Sequence, residues 1–154
     1  MIAQYTRILT GNLVLDLAVL AWFVAQVLKF IINLVIHRTM DLHLLLSSGG
    51  MPSSHSALVC ACAISIGRLE GFYGSAFALA AVVALVVMYD ACNVRRAAGE
   101  QAKILNYILE NWEEMSPAMV GEELKELLGH TPLQVVMGAL LGVVIGWFGV
   151  QFWG

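Results

Sequence analysis

The stretch Gly129–Phe148, "GHTPLQVVMGALLGVVIGWF", decides how this chain is built. From Leu133 it stays apolar through Trp153, and a bilayer-spanning helix needs about 20 such residues. Its start carries His130, with Pro132 in the first turn, where the N–H that proline lacks has no helical partner to lose. Gly138, Gly142 and Gly146 recur every four residues, so they line one side of a helix and admit a neighbouring helix closely. The stretch therefore reads as a transmembrane helix with a tight packing stripe and a polar group at one mouth.

Composition places the whole chain in the same setting. Of 154 residues, 60% are hydrophobic and 12% charged, with a mean hydropathy of +0.81. A soluble domain carries about 45–50% apolar and about 25% charged residues, so the balance points to a membrane protein. The net charge of −3 provides no basic surface for nucleic acid. Cys60, Cys62 and Cys92 lie inside apolar runs without C-x-x-C spacing, a pattern of buried thiols and not of a disulfide framework or zinc site. The mixed start "MIAQYTRILTGN", followed by a long apolar run, does not read as a signal peptide.

Two more segments, 13–36 and 74–92, are long enough to span. A shorter one, 54–70, meets Arg68 and Glu70 and can cross only if other helices shield it from lipid. With 133–153, these segments predict an all-α fold: a compact integral membrane helical bundle of about four spans, forming a single domain over 1–154. The hydrophilic block 93–131 opens with "NVRRAAGEQAKILNYILENWEE", where Val94, Ala98, Leu105, Ile108 and Trp112 recur at helical spacing. That spacing predicts one amphipathic surface helix, lying on the membrane or against the bundle. Pro117 interrupts it, and a second short helix, "GEELKELLG", closes at Gly129. Four of the eight Lys and Arg residues fall in this block, which favours the cytoplasmic side for it and puts both termini outside.

Four antiparallel spans bring the end of the first, the start of the second, the end of the third and the start of the fourth to one face. Those places hold the chain's unusual polar residues. Gln26, Lys29, Asn33 and His37 follow one another at steps of three, four and four, which stacks them on one helical side. A lone lysine near a span's end can snorkel to the headgroups, but four polar residues in register favour a site facing protein. In "GGMPSSHSALV", Gly49–Val59, Ser53 or Ser54 can cap the second helix. The N–H groups of such a helix start also favour an anion, beside the imidazole of His55. Asp90 ends the third span and Arg95 and Arg96 follow; these are either a positive-inside anchor or a guanidinium grip on phosphate oxygens.

At these residues the sequence resembles the type 2 phosphatidic acid phosphatase superfamily, and "GGMPSSHSA" with "VMYDACNVRRAAGEQA" resembles its small, divergent branch. The resemblance runs from about Leu28 to Trp147. Of the superfamily motifs K-x6-R-P, P-S-G-H and S-R-x5-H-x3-D, "PSSH" (Pro52–His55) is similar to the second, with serine replacing glycine. "HTPLQVVMGALLG" is similar to the third from its histidine onward. The resemblance implies that His130 is the nucleophile forming a phosphohistidine and that His55 is the acid protonating the leaving alkoxide. It further implies that Ser53, Ser54 and nearby N–H groups hold phosphate oxygens, with no metal or other cofactor. Three positions depart from the motifs. Gln134 stands where the orienting aspartate belongs, leaving Asp90 as the substitute acid. Leu124 replaces the motif arginine, leaving Arg95 or Arg96 to supply the charge. Arg38 follows Lys29 at a different spacing and without a proline.

Two functions follow, and a transporter is a third, for which four spans are few unless an oligomer supplies more. One is a membrane-embedded phosphatase acting on a lipid phosphate or isoprenoid diphosphate. Its catalytic residues would be His130, His55 and Asp90, with Lys29, Arg38, Ser53, Ser54, Arg95, Arg96 and Gln134 at the phosphate. The other is a non-catalytic protein that binds anionic lipid headgroups or scaffolds partners. Either has membrane lipids as its partners, and the exposed glycine stripe is compatible with a homodimer.

Overall fold

The computed structural model describes residues 9–38, 50–110 and 129–154; within its helices, the side chains of His37, Arg95, Arg96, Leu109 and Glu110 lie outside that description. The described helices are α1 (Leu13–His37), α2 (Ser54–Glu70), α3 (Ser75–Cys92), α4 (Val94–Glu110) and α5 (Pro132–Trp153). The predicted short helix "GEELKELLG", along with Trp112, Pro117 and Leu124, lies outside the described residues.

The helix at the centre is α2, and its composition explains why. Its sequence, SHSALVCACAISIGRLE, buries Ser54, Ser56, Ala57, Cys60, Ala61, Ala63, Ser65 and Gly67. These are all small, so α1, α3 and α5 can each approach its backbone. Ala21 and Ala25 of α1 close against Ala57 and Ala61 with no exposed surface, and Leu141 and Ile145 of α5 cover the cluster. Leu13, Leu17 and Val150 form a second cluster beside Leu69. Lipid tails are as apolar as these side chains, so the association draws on dense van der Waals contact and not on escape from water.

The same pairings set the directions. Along α1 the chain passes Leu69 first and Ala57 later, so α1 runs antiparallel to α2. Glycines of α5 meet α2 in increasing order: Gly138 at Ser53, Gly142 at Ala57 and Cys60, Gly146 at Ala61 and Ile64. Therefore α5 runs parallel to α2. In α3, Phe77 meets Phe72 while Met88 meets Cys60, so α3 is antiparallel to α2. The far end of α2 is closed by Arg68, whose guanidinium lies 4.4 Å from the centre of the Trp147 ring and donates from Nη2 to Gln151 Oε1 at 3.0 Å. Phe72 stacks beside that tryptophan.

Among the described residues, three stretches are long and apolar enough to cross a membrane: Leu13–Ile36, Ser75–Ile108 and Pro132–Trp153. The fourth predicted segment, α2, has 17 residues and ends in Arg68 and Glu70. Its length of about 25 Å is less than the roughly 30 Å hydrocarbon core. It still runs beside α5 from Ser53 to Arg68, enclosed by protein in the way its short sequence requires.

The surface helix α4 follows α3 after a single residue, Asn93. Among its described side chains the buried positions are Gly99, Ala102 and Asn106, with Ala98 of the predicted stripe half-buried. Val94, Leu105 and Ile108 from that stripe remain exposed, together with Ile104. The periodicity identified the helix correctly, but its oily side is left uncovered by protein.

Candidate active site at the mouths of two helices

Ser53 is the N-cap of α2 and is fully buried. Its Oγ accepts from Ser56 N at 3.4 Å and from Ser56 Oγ at 3.1 Å, which satisfies one of the N–H groups a helix start leaves without a carbonyl. Its own N–H donates to Gln134 O, in the first turn of α5, at 3.0 Å. Two helix N-termini are thus tied side by side. Because Gly138 has no Cβ, the backbone of Ser53 can sit against α5 at this point. His55, at the second position of α2, is half-buried on the same mouth.

His130 enters from the α5 side. Gly129, in a left-handed conformation (φ 92°), turns the chain inward. His130 N then donates to Ala91 O of α3 at 2.9 Å. Thr131 caps α5: its Oγ1 accepts from Gln134 N at 3.3 Å, while Gln134 Oε1 accepts from Thr131 N at 2.9 Å. The result is a His130 ring that is 2% exposed, 6.2 Å from the His55 ring centre to centre and at 83° to it.

The third contribution comes from α1. Ala25 lies at the level of Ala57, so one turn further along α1 brings Lys29 level with Ser53. Lys29 is 2% exposed and Gln26 5%, so these two members of the stripe face protein and the lysine does not snorkel. Lys29 Nζ donates to Gln26 Oε1 at 2.8 Å. The loop ahead of α2 closes over the lysine stem: a Cβ on Gly50 (φ +93°) would stand 3.0 Å from Lys29 Cγ.

The helix mouths therefore gather Lys29, Ser53, Ser54, His55 and His130, with half-buried Asp90 one residue before the Ala91 carbonyl. Arg38 is not gathered with them. It is exposed, caps α1 in a left-handed conformation, and lies nine residues, about 13 Å, beyond Lys29 along the axis. Gln134 is at the mouth, but its carboxamide oxygen serves the capping box. Arg95 and Arg96 sit in the first turn of α4, and their side chains are outside the described residues. A cavity of about 320 Å³ lined by Asn12, Leu13, Ile66, Leu69 and Glu70 lies at the other end of α2 and contains none of these groups.

Residues 10–145 match the family described as Divergent PAP2. The chain belongs to that family. It is also similar to "Uncharacterized membrane protein YuiD" of Bacillus subtilis (strain 168), 38% identical over 131 residues, covering 79% of this chain and 83% of that protein. No solved structure matches it. The resemblance read from "PSSH" and "HTPLQVVMGALLG" is borne out, as is the all-helical membrane bundle. This Divergent PAP2 protein is an integral membrane protein.

Several residues that build the site were not singled out in the sequence. Ser56 is the last serine of "PSSHS", three residues after Ser53, the separation at which a helix residue reaches its cap. Thr131 and Gln134 carry the T-x-x-Q spacing of a capping box, which was legible. Ala91 contributes only a carbonyl oxygen, for which a sequence has no signal.

Proposed function

We propose that this Divergent PAP2 family member is a membrane-embedded phosphatase that hydrolyses a lipid phosphate or isoprenoid diphosphate through a phosphohistidine. The observation that supports this most is the pair of imidazoles 6.2 Å apart at two adjoining helix mouths. The rings stand edge to face, near enough for both to reach one phosphoryl group bound at the mouth.

In the first step a nitrogen of His130 attacks phosphorus, the bond from phosphorus to the leaving oxygen breaks, and His55 gives that oxygen its proton. Water then attacks the phosphohistidine, His55 takes a proton from it, and inorganic phosphate leaves with His130 restored. Charge on the three equatorial oxygens is met by Lys29, Ser54 and first-turn N–H groups of α2. Ser53 acts mainly as a cap, since its N–H is already given to Gln134. Asp90 orients an imidazole and Arg95 and Arg96 add positive charge, both by proposal. The apolar bundle surface accepts the lipid tail.

The test is phosphate release by the purified protein from phosphatidic acid, phosphatidylglycerophosphate and prenyl diphosphates. Turnover of at least one is expected. His55→Ala should lower it by about 10²–10⁴-fold, and in the first step, read by rapid quenching as phosphoryl transfer to His130, a substrate with an acidic leaving group, which needs no proton, should lose least. Equal losses on both kinds of substrate would count against His55 as the acid.

A second reading has one observation in its favour. The side chain at the orienting-acid position, Gln134, is committed to the helix cap. A protein that binds the headgroup without turning it over would show phosphate-dependent lipid binding and no release.

Positive-inside preference assigns the histidine end to the cytoplasmic side. In a variant whose three cysteines are replaced by serine, a cysteine placed at Asn93 should react with an impermeant maleimide only after the cells are broken. Reaction in intact cells reverses the orientation.

A further inference from the structure

We propose that the end of the bundle opposite the histidines holds an anionic phospholipid, whose phosphate pairs with Arg68 in the leaflet around that end. Membrane insertion is the one premise; no catalytic role of the histidines enters it.

Several helix ends meet at this level. Leu13, the first residue of α1, packs with Val150 near the close of α5 and beside Leu69 near the close of α2. Two spanning stretches, Leu13–Ile36 and Pro132–Trp153, thus begin and finish here, which makes the level a membrane boundary. Phe72, Tyr73, Trp147, Phe152 and Trp153 are exposed around it. Tryptophan and tyrosine concentrate where a bilayer meets water, at the headgroups.

Arg68 stands about 21 Å along α2 from Ser54, far from the histidine mouth. It is half-buried, and two neutral groups orient it: the Trp147 ring, 4.4 Å from the guanidinium carbon, and Gln151 Oε1, which accepts from Nη2 at 3.0 Å. Its Nε is buried with no hydrogen-bond partner among the described residues. The carboxylates nearest in the chain do not neutralise it there. Asp16 accepts from Leu9 N, Thr10 N and Thr10 Oγ1, and Glu70 is exposed without an ion pair among the described residues. The carbonyl end of α2 offers only a partial negative charge.

A guanidinium stays charged and carries five N–H donors, so one carboxamide bond and one ring leave its demand unmet. Holding such a charge beside apolar side chains is costly without an oxyanion. At headgroup level the oxyanion a bilayer supplies is a phosphate diester, which the arginine fork fits with paired bonds. A lipid with net negative charge suits the site better than a zwitterion, whose own ammonium competes for the phosphate.

The experiment follows the thermal midpoint of the full chain in detergent micelles during titration with dioleoylphosphatidylglycerol or dioleoylphosphatidylcholine. The anionic lipid should raise the midpoint more than the zwitterionic one. Arg68→Gln should weaken the apparent affinity for the anionic lipid about tenfold, the scale of a lost charge-assisted hydrogen bond. Arg68→Lys, which keeps the charge but not the fork, should weaken it less. His130→Ala should respond to the lipid as wild type does, which separates this site from the histidine mouth. Midpoints without lipid show whether each variant is folded. If Arg68→Gln lowers that starting midpoint but responds to lipid like wild type, Arg68 only packs on Trp147 and the proposal is wrong. It is equally wrong if wild type responds alike to both lipids, or if inorganic phosphate alone reproduces the shift. Loss of the response in His130→Ala with retention in Arg68→Gln would move the lipid to the other end and overturn it too.

Discussion

His130→Ala is expected to abolish phosphate release, by at least about 10³-fold, while leaving the helical bundle assembled. The size follows from the role. A general acid can be partly replaced by water, but a nucleophile that forms the covalent intermediate has no substitute in a site shaped for it. The bundle should survive because several contacts that place this residue belong to its backbone and neighbours. His130 N bonds to Ala91 O, Gly129 makes the turn, and Thr131 caps α5 with Gln134. None of these uses the imidazole. The variant loses buried ring contacts, so its thermal midpoint should drop modestly, and His130→Gln, closer in volume, should drop less and be equally inactive. Rapid quenching of wild type with substrate should leave a phosphoryl group on the peptide containing His130, and His55→Ala should carry it too when the leaving group is acidic. Retained activity in His130→Ala removes the nucleophile from this account, and a phosphoryl group on His55 instead would exchange the two roles.

How much of this was legible before the fold depends on the kind of signal. Spanning segments are one-dimensional: α1, α3 and α5 fall within a residue or two of where hydropathy placed them. The helix α2 was harder to place because Arg68 and Glu70 cut its apolar run, and only the packing of α1, α3 and α5 around its small residues shows how it is accommodated. The convergence of His55, His130 and Lys29 on one end followed from counting antiparallel segments, a topological argument that needs no side-chain detail. Side-chain commitments were not legible in that way. Gln134 stood at a motif position, yet its oxygen went to Thr131, because a helix start with an orphan N–H competes for any acceptor three residues on. Arg38 was placed at the phosphate although its spacing from Lys29 departs from the motif, and in the fold it is the exposed cap of α1. Gln26 was read as part of a stripe, and the bond that it accepts from Lys29 appears in the fold alone.

Gly142→Val is expected to be the most damaging single change to the fold, costing about 3 kcal/mol or more or preventing assembly in detergent. A Cβ at this position would overlap Ala57 O and stand 2.9 Å from both Ala61 N and Cys60 Cβ. Two of those three atoms are backbone of α2, so no side chain can rotate to make room. Nor can α2 withdraw, since Ala21 and Ala25 of α1 close its other side without exposed surface. The helices must separate, and in lipid there is no solvent-driven force to hold them together once close contact is lost. Gly74→Ala is the matched control: there a Cβ would meet only Gly71 O at 3.4 Å and Glu70 O at 3.9 Å, so its thermal midpoint should stay near that of wild type. The stripe also predicts a gradient in function. Gly138→Ala pushes directly on the Ser53 carbonyl, two residues from His55, and should depress activity more than its loss of stability explains. Gly146→Ala presses on Ala61, farther down α2, and should lower the thermal midpoint with less effect on turnover. Both follow from one geometry, because the separation of α2 and α5 at their N-termini is also the separation of the two imidazoles. If Gly142→Val melts like wild type, α2 and α5 are not in close contact, and the 6.2 Å between the rings loses its structural basis.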